Sequence, residues 1–438
     1  MNMKREEGGA MAALSDTLVA RVKDFVLEGV EAEGSAFAAR PDEFWQGLRS
    51  AGTEIWLDTG DIDAAKENWT AEMSALTTNN TLLNNEIQKG IYDDFIPTAN
   101  ALLEGVDTKQ RIQEIAFILN ARHGLRLVRT FGGNVSVELH TDLADDFDGI
   151  VHYGRRFHEI SPEKFIVKVP LTATGLLGAR KLRELGIPVN FTLEFSARQN
   201  AVVSVVARPK YCNVFLGRLN SYVKDHGLGD GVNVGEKATI ASQRIVRELT
   251  GHREEPTRQI AASMRDASQV EKLAGVDVFT IPTKVAATAR AAAARAAAAR
   301  AAAARAGTEV TFEDRVATDY EVSLGRDVEP TEVRIEKLWE VDQTTREFAR
   351  SCDEDVPPTG DQLADRARRM GLADMFPPLS SADLQRIADD GKIPDHSVWK
   401  DRIRSGEVAV DTLLNLAGLA SFTQDQKALD DRIAGLIT

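Results

Sequence analysis

Apolar residues fall along this chain in two alternating periods. An amphipathic N-terminal stretch comes first, with Leu18, Val19, Val22, Phe25 and Val26, then Phe44, Trp45 and Leu48, at helical spacing. Short apolar runs then alternate with longer segments patterned for helices. Eight runs read as strands, at 55–58, 75–79, 134–139, 165–170, 188–195, 211–216, 258–264 and 278–282. Between them, 175–185 is helical in pattern and stops at Gly186, as a helix C-terminus does, and 267–273 stops near Gly275. Eight βα repeats predict an α/β fold, a parallel sheet closed into a (β/α)8 TIM barrel. Pattern alone leaves a doubly wound open sheet as the alternative.

The rest of the chain sorts around that barrel. Residues 1–44 form an N-terminal helical extension and 45–306 the barrel. The barrel ends in a low-complexity stretch in which four alanines separate Arg290, Arg295, Arg300 and Arg305. Such a segment is strongly helical, but a five-residue step advances about 140° around a helix, so the arginines spiral and build no basic face. It reads as a spacer continuing the last barrel helix. Residues 307–407 are charged and punctuated by proline, an inserted or appended region of loops and short helices, and 408–438 return to helical periodicity as a C-terminal helix packing on the barrel.

Composition narrows the partners. The chain has 438 residues, 43% of them hydrophobic, enough for a large core. A formal charge of -14 argues against nucleic acid or an anionic membrane surface as partner. Two cysteines, Cys212 and Cys352, in no metal-ligand spacing make a disulfide framework or structural zinc unlikely and fit a reducing cytoplasm. The first residues lack an apolar targeting segment, and no later run reaches membrane length.

One residue changes the picture. Lys168 sits in FIVKVPLT, a run otherwise patterned as a fully buried parallel strand. Burial disfavours an ammonium and makes a neutral, nucleophilic amine accessible, which Schiff-base chemistry on a carbonyl requires. Taken alone, it fits better a lysine whose stem lines the barrel while its head reaches water or a carboxylate. The other strands decide, because barrel active sites lie at the C-terminal strand ends. There the first strand offers Asp58, the second Thr78 and Asn79, the third Glu138, the fifth Asn190 and Thr192, the sixth Arg218, and the seventh Ser263 and Arg265. Two acids, a lysine, amide and hydroxyl groups and two arginines converge on one mouth. Arginine suits phosphate through its bidentate, charge-assisted fork, although a structural ion pair with a carboxylate is the plainer fate for each. The stretch HGLGDGVNVGE from His226 lacks the βαβ context of a dinucleotide cradle and reads as a surface loop, and His140, His152 and His158 fit no ligand spacing.

At these residues the chain resembles the transaldolase family of class I aldolase-type (β/α)8 barrels. The resemblance is carried by IWLD, TTNNTLLNNEI, VSVEL, FIVKVPLTATGL, GIPVNFTLEFS, VFLGR, AASMRDASQVEKLAGVDVFTIP and the tail ASFTQDQKALDDRI. It implies that Lys168 forms the Schiff base and that Asp58 moves the proton of the substrate hydroxyl. Glu138 with Thr192 would hold a proton-shuttling water. Asn79 and Asn190 would bind the dihydroxyacetone unit, and Arg218, Ser263 and Arg265 the phosphate. The activity implied is transfer of dihydroxyacetone between sugar phosphates in the pentose phosphate pathway, without metal or other cofactor. Asn213 stands where the family usually has a serine, which puts substrate recognition in question.

Three rival readings stay in view. Fructose-6-phosphate aldolases resemble the same barrel, but with a glutamine for Glu138 and a tyrosine for Phe215, so these two residues favour transfer. A transaldolase acting on another anionic sugar is a second rival. An inactive barrel serving as a binding or assembly module is the third, and the intact set of Lys168, Asp58 and Glu138 argues against it. The added regions could reshape the mouth or build a homo-oligomer interface.

Overall fold

The computed structural model describes residues 14–30, 36–302 and 310–437. Eight parallel strands run in sequence order: β1 (Glu54–Asp58), β2 (Met73–Thr77), β3 (Asn134–Glu138), β4 (Phe165–Pro170), β5 (Val189–Thr192), β6 (Tyr211–Phe215), β7 (Arg258–Ala262) and β8 (Val278–Pro282). β8 pairs with β1 from Glu54↔Val278 to Asp58↔Pro282, which closes the sheet into a (β/α)8 barrel and removes the open-sheet alternative. The strands are buried on both faces because side chains fill the barrel inside and helices cover it outside. β4 is buried at every position, Lys168 included.

The strand ends depart from the sequence reading where the backbone turns. β2 stops at Thr77, because Asn79 caps the helix Asn80–Gln88, its side chain accepting from the Leu82 N–H at 2.8 Å. β5 stops at Thr192 and β7 at Ala262, because Leu193 and Ser263 take left-handed φ values of 72° and 60°. Such values are uncommon for residues with a Cβ and store strain, and both fall at the barrel mouth.

The N-terminal extension supplies a helix Asp16–Leu27 that buries Val22 and Val26. A second helix, Glu43–Ser50, buries Trp45 and Leu48. The alanine–arginine segment continues β8 directly as the helix Thr283–Ala302, and Arg290 ties it back by an ion pair to Asp42 at 2.8 Å. Residues 1–13, 31–35 and 303–309, with Arg305 and the opening segment read for targeting, lie outside the described residues.

Residues 310–407 form short helices on the outside of the barrel, the helix Gln343–Glu354 packing on Ala197–Val206 and Gly360–Arg369 on Ala173–Glu184. The C-terminal helix Val410–Ile437 crosses the mouth: Asn415 donates to the Leu171 and Leu193 carbonyls beyond β4 and β5, and Gln426 accepts from Asn80 after β2 at 2.6 Å. One buried cluster stitches the three regions together. Arg198 of the barrel bonds Asp374 at 3.0 Å and Asp411 of the C-terminal helix at 2.7 Å. Removing one partner from such a buried set costs about 3–5 kcal/mol.

Candidate active site

Register brings the central groups together. Glu138 pairs with Lys168 across β3 and β4, and Lys168 with Asn190 across β4 and β5. Lys168 is 4% exposed. Its Nζ donates to the Thr78 carbonyl at 3.2 Å and lies 3.4 Å from Glu138 Oε2. The geometry is that of the plainer expectation, a lysine head meeting a carboxylate.

Asp58 accepts from Thr77 Oγ1 at 2.7 Å, and that hydroxyl also bonds Thr280. Asp58 keeps part of its surface on the cavity, yet the protein around it desolvates its carboxylate and raises its pKa above the usual value, against the pull of the Thr77 hydroxyl and the Lys168 charge. Burial likewise raises Glu138, opposed by Lys168. Two acids held above their ordinary range beside one lysine are placed to accept and return protons more readily than ordinary carboxylates.

Around them runs a belt of amides. Asn190 donates to Ser136 Oγ at 2.9 Å, and Asn213 donates to Asn190 Oδ1 at 2.8 Å and to the Phe191 carbonyl. Asn213 thus fixes the orientation of Asn190 from the sixth strand. Thr192 Oγ1 is buried without a hydrogen-bond partner among the described residues, and Glu138 Oε2 has only the ion pair to Lys168.

A cavity of about 580 Å³ opens at this mouth. Eight of the eleven residues predicted for the site line it: Asp58, Asn79, Lys168, Asn213, Phe215, Arg218, Ser263 and Arg265. Glu138, Asn190 and Thr192 do not; Glu138 bears on it through Lys168, and Asn190 through Asn213.

The phosphate side of the expectation rests on how the arginines are held. Arg218 lies in the first turn of the helix Leu216–Asp225, 5% exposed, and stacks on Phe215 with its guanidinium carbon 5.5 Å from the ring centre. Gly217 makes this placement fit: a Cβ there would stand 2.2 Å from the Ser263 carbonyl, so only glycine lets the helix start sit on the end of β7 beside Arg265. Two other buried arginines have carboxylates, at Arg156–Glu114 and Arg198–Asp411. Arg218 and Arg265 have none within ion-pair distance among the described residues, and Arg218 Nη1 is buried without a partner. Burial, then the Arg265 charge, push the Arg218 pKa down to about 10. Two like charges held together at a helix N-terminus, with no counter-ion from the protein, suit an anion.

Three residues of this region escaped the sequence reading. Glu194 is wholly buried with no side-chain partner among the described residues, and desolvation raises its pKa well above the ordinary value against the pull of the nearby Glu194 and Asn213 backbone N–H groups. Its signal was the one that marked Lys168, a charge inside an apolar run. Phe422 of the C-terminal helix places its ring 5.8 Å from Lys168 Nζ. Lys392, in the turn after the helix Ser381–Asp390, also lines the cavity, and nothing in its local sequence says so. The plain histidine reading fits: His140 bonds Asp430 at 3.1 Å, His152 lies against Arg156, and neither they nor His158 line the cavity. The glycine-rich segment is less free than a surface loop, since Gly229 bridges to Leu324 and the Gly325 N–H bonds the Leu228 carbonyl at 2.8 Å.

Fold and cavity together define a (β/α)8 barrel whose mouth holds a lysine between two carboxylates, beside cations that lack a carboxylate of their own. The family model for Transaldolase/Fructose-6-phosphate aldolase matches residues 55–323. A transaldolase of Xanthomonas euvesicatoria pv. vesicatoria is 30% identical over 236 residues, 52% of this chain and 72% of that protein. A transaldolase of Protochlamydia amoebophila is 27% identical over 238 residues with the same coverage. A probable transaldolase of Exiguobacterium sibiricum is 33% identical over 184 residues, 42% of this chain and 72% of its own length. Among solved structures, a rubisco-like protein from Burkholderia fungorum aligns at 13% identity over 61% of this chain and 66% of that chain with a TM-score of 0.32, too low to bear on function. The chain belongs to the Transaldolase/Fructose-6-phosphate aldolase family. Among the described residues no helix is long and apolar enough to cross a membrane.

Proposed function

We propose that this protein is a transaldolase that carries a dihydroxyacetone unit from a ketose phosphate to an aldose phosphate on Lys168. The observation that carries the reading is the placement of Lys168 Nζ, buried at the barrel mouth, 3.4 Å from Glu138 and in one cavity with Asp58 and two arginines free of carboxylates. In this scheme Lys168 gives its proton to Glu138 and adds to the ketone carbon. The carbinolamine loses water to give an iminium, with Glu138 returning the proton to the departing oxygen. Thr192, whose hydroxyl has no protein partner, holds the water that relays these protons. The iminium is an electron sink, so when Asp58 takes the proton of the hydroxyl two carbons away, the bond between the carbons breaks. An aldehyde leaves, and a three-carbon enamine stays on Lys168. A second aldehyde enters, the enamine carbon attacks it, Asp58 protonates the new alkoxide, and water hydrolyses the iminium. Asn79 and Asn190, the latter oriented by Asn213, hold the hydroxyls of the three-carbon unit, and Arg218, Ser263 and Arg265 hold the phosphate.

The names of the relatives support transfer, and Glu138 and Phe215 support it over net aldol cleavage. Incubation with fructose 6-phosphate and borohydride followed by peptide mass spectrometry tests the core of the reading. The expected result is a reduced three-carbon adduct on Lys168. An adduct on another lysine, or none, overturns it.

A further inference from the structure

The family match ends at residue 323, yet the cavity does not end with it. The turn Gly391–Asp395, which joins the helices Ser381–Asp390 and His396–Ser405, brings Lys392 to the rim of the Lys168 cavity, on the side of Arg218 and Arg265. Gly391, at a left-handed φ of 77°, ends the first helix and sets the turn. The turn is fixed to the arginine site from below: His396 Nδ1 bonds Tyr222 Oη at 2.8 Å, and Tyr222 stands on the same helix as Arg218.

The local sequence offers Lys392 three carboxylates, but each is engaged elsewhere. Asp390 accepts from Arg386 at 2.9 Å and from the Asp395 N–H at 3.0 Å, Asp395 caps the next helix through Ser397, and Asp389 accepts from Gln385. Lys392 forms no ion pair among the described residues. The charges it faces are Arg218, Arg265 and Asp425, and Asp425 already accepts from Thr81. Partial burial and the two arginines disfavour its ammonium, which is the expected condition of a cation waiting for an anion shared with its neighbours.

We propose that Lys392 is a specificity-determining residue that joins Arg218 and Arg265 in binding the phosphate of a sugar phosphate, so that the segment beyond the family match forms part of the substrate site. This rests on the transaldolase reading for the identity of the anion. A third cation favours the doubly charged form of a phosphate monoester and raises the selectivity for phosphorylated over neutral donors.

Calorimetric titration of the full chain with inorganic phosphate, paired with the ratio of KM for dihydroxyacetone to KM for fructose 6-phosphate, tests this. Lys392→Ala should weaken phosphate binding about two- to fivefold, the range of a partly exposed charge contact, and lower the KM ratio by a similar factor. Lys392→Glu should do more, and Lys392→Arg should restore both. If the wild-type chain binds no phosphate, or Arg218→Ala binds it as well as the wild type, the anion-site reading falls. If wild-type binding depends on Arg218 while Lys392→Ala and Lys392→Glu match the wild type, only the role of Lys392 is overturned.

Discussion

Replacing Lys168 by Met should cost stability in a way that depends on pH, because the ammonium and the Glu138 carboxylate share one buried site. Their side chains are 5% and 3% exposed and their charged atoms 3.4 Å apart. Without the lysine, Glu138 has two options. It can stay ionised and unpaired, at about 3–5 kcal/mol for a broken buried pair. Or it can take a proton, which at pH 7 means binding it about 2.5 pH units above the ordinary value of 4.5, at roughly 1.4 kcal/mol per unit or about 3.4 kcal/mol. The cheaper course sets the penalty, so Lys168→Met should lose about 3 kcal/mol at pH 7, less whatever the apolar methionine gains by filling the space.

The double variant Lys168→Met/Glu138→Gln isolates the electrostatic part, since it keeps the methionine and removes the stranded charge. The sign follows from the shift. Without Lys168 the folded-state pKa of Glu138 lies above its unfolded value, so full stability is present below about pH 4.5 and is lost as pH rises. Urea unfolding followed by tryptophan fluorescence at pH 5 and pH 7.5 should show the double variant ahead of the single by about 3–4 kcal/mol at the higher pH and by under about 1 kcal/mol at the lower. Equal stabilities at pH 7.5, or a gap that ignores pH, would refute the reasoning and place the Glu138 charge outside the reach of Lys168.

Two further outcomes follow from the same mouth. Glu138→Gln combined with Phe215→Tyr should raise free dihydroxyacetone release relative to transfer, measured by product analysis with fructose 6-phosphate and an aldose phosphate acceptor; unchanged partition would remove these residues from the choice between the two reactions. Glu194→Gln should stabilise the fold increasingly as pH rises above 4.5 and little below it, measured by urea unfolding at pH 5 and pH 7.5, because it removes a buried carboxyl whose raised pKa loses stability in that direction. A destabilised variant would mean that the carboxyl has a partner in the folded protein.

The barrel was legible because its strands are local statements: an apolar run of five or six residues says the same thing wherever it lies, and eight of them admit few closures. The cavity was legible at Asp58, Lys168, Arg218 and Arg265 for a related reason, since a charge in or at the end of such a run needs explaining. What failed was parity and distance. Alternation carries the fifth strand to residue 195 with Asn190, Thr192 and Glu194 on one face, but the left-handed turn at Leu193 ends it at Thr192 and leaves Glu194 to be placed by the fold. No period could announce Leu193 or Ser263, because neither is the glycine that such a φ favours. Lys392 was beyond reach altogether: its neighbours ADDGKIPD describe a solvated turn, and contacts between helices far apart in sequence, His396–Tyr222 among them, carry that turn to Arg218.

Those failures share a cause that bears on why the chain is longer than its barrel. The mouth gathers groups that do not favour folding: two carboxyls held above their usual pKa, an unpaired Glu194, arginines without carboxylates and two left-handed residues. Local propensity cannot hold such a set, so longer-range packing must. The C-terminal helix supplies some of it, with Gly418 so close to Leu193 and Arg218 that a Cβ would meet them at 2.8 Å and 3.1 Å, and with Asn415 bonding the Leu193 carbonyl at the strained turn itself. Asp374 and Asp411 add to it by closing on Arg198, in the first turn of the helix Ala197–Val206 that follows the same turn. Reading inward from the sequence, the added regions look separable from the chemistry; reading outward from the strain, they are what keeps it in place.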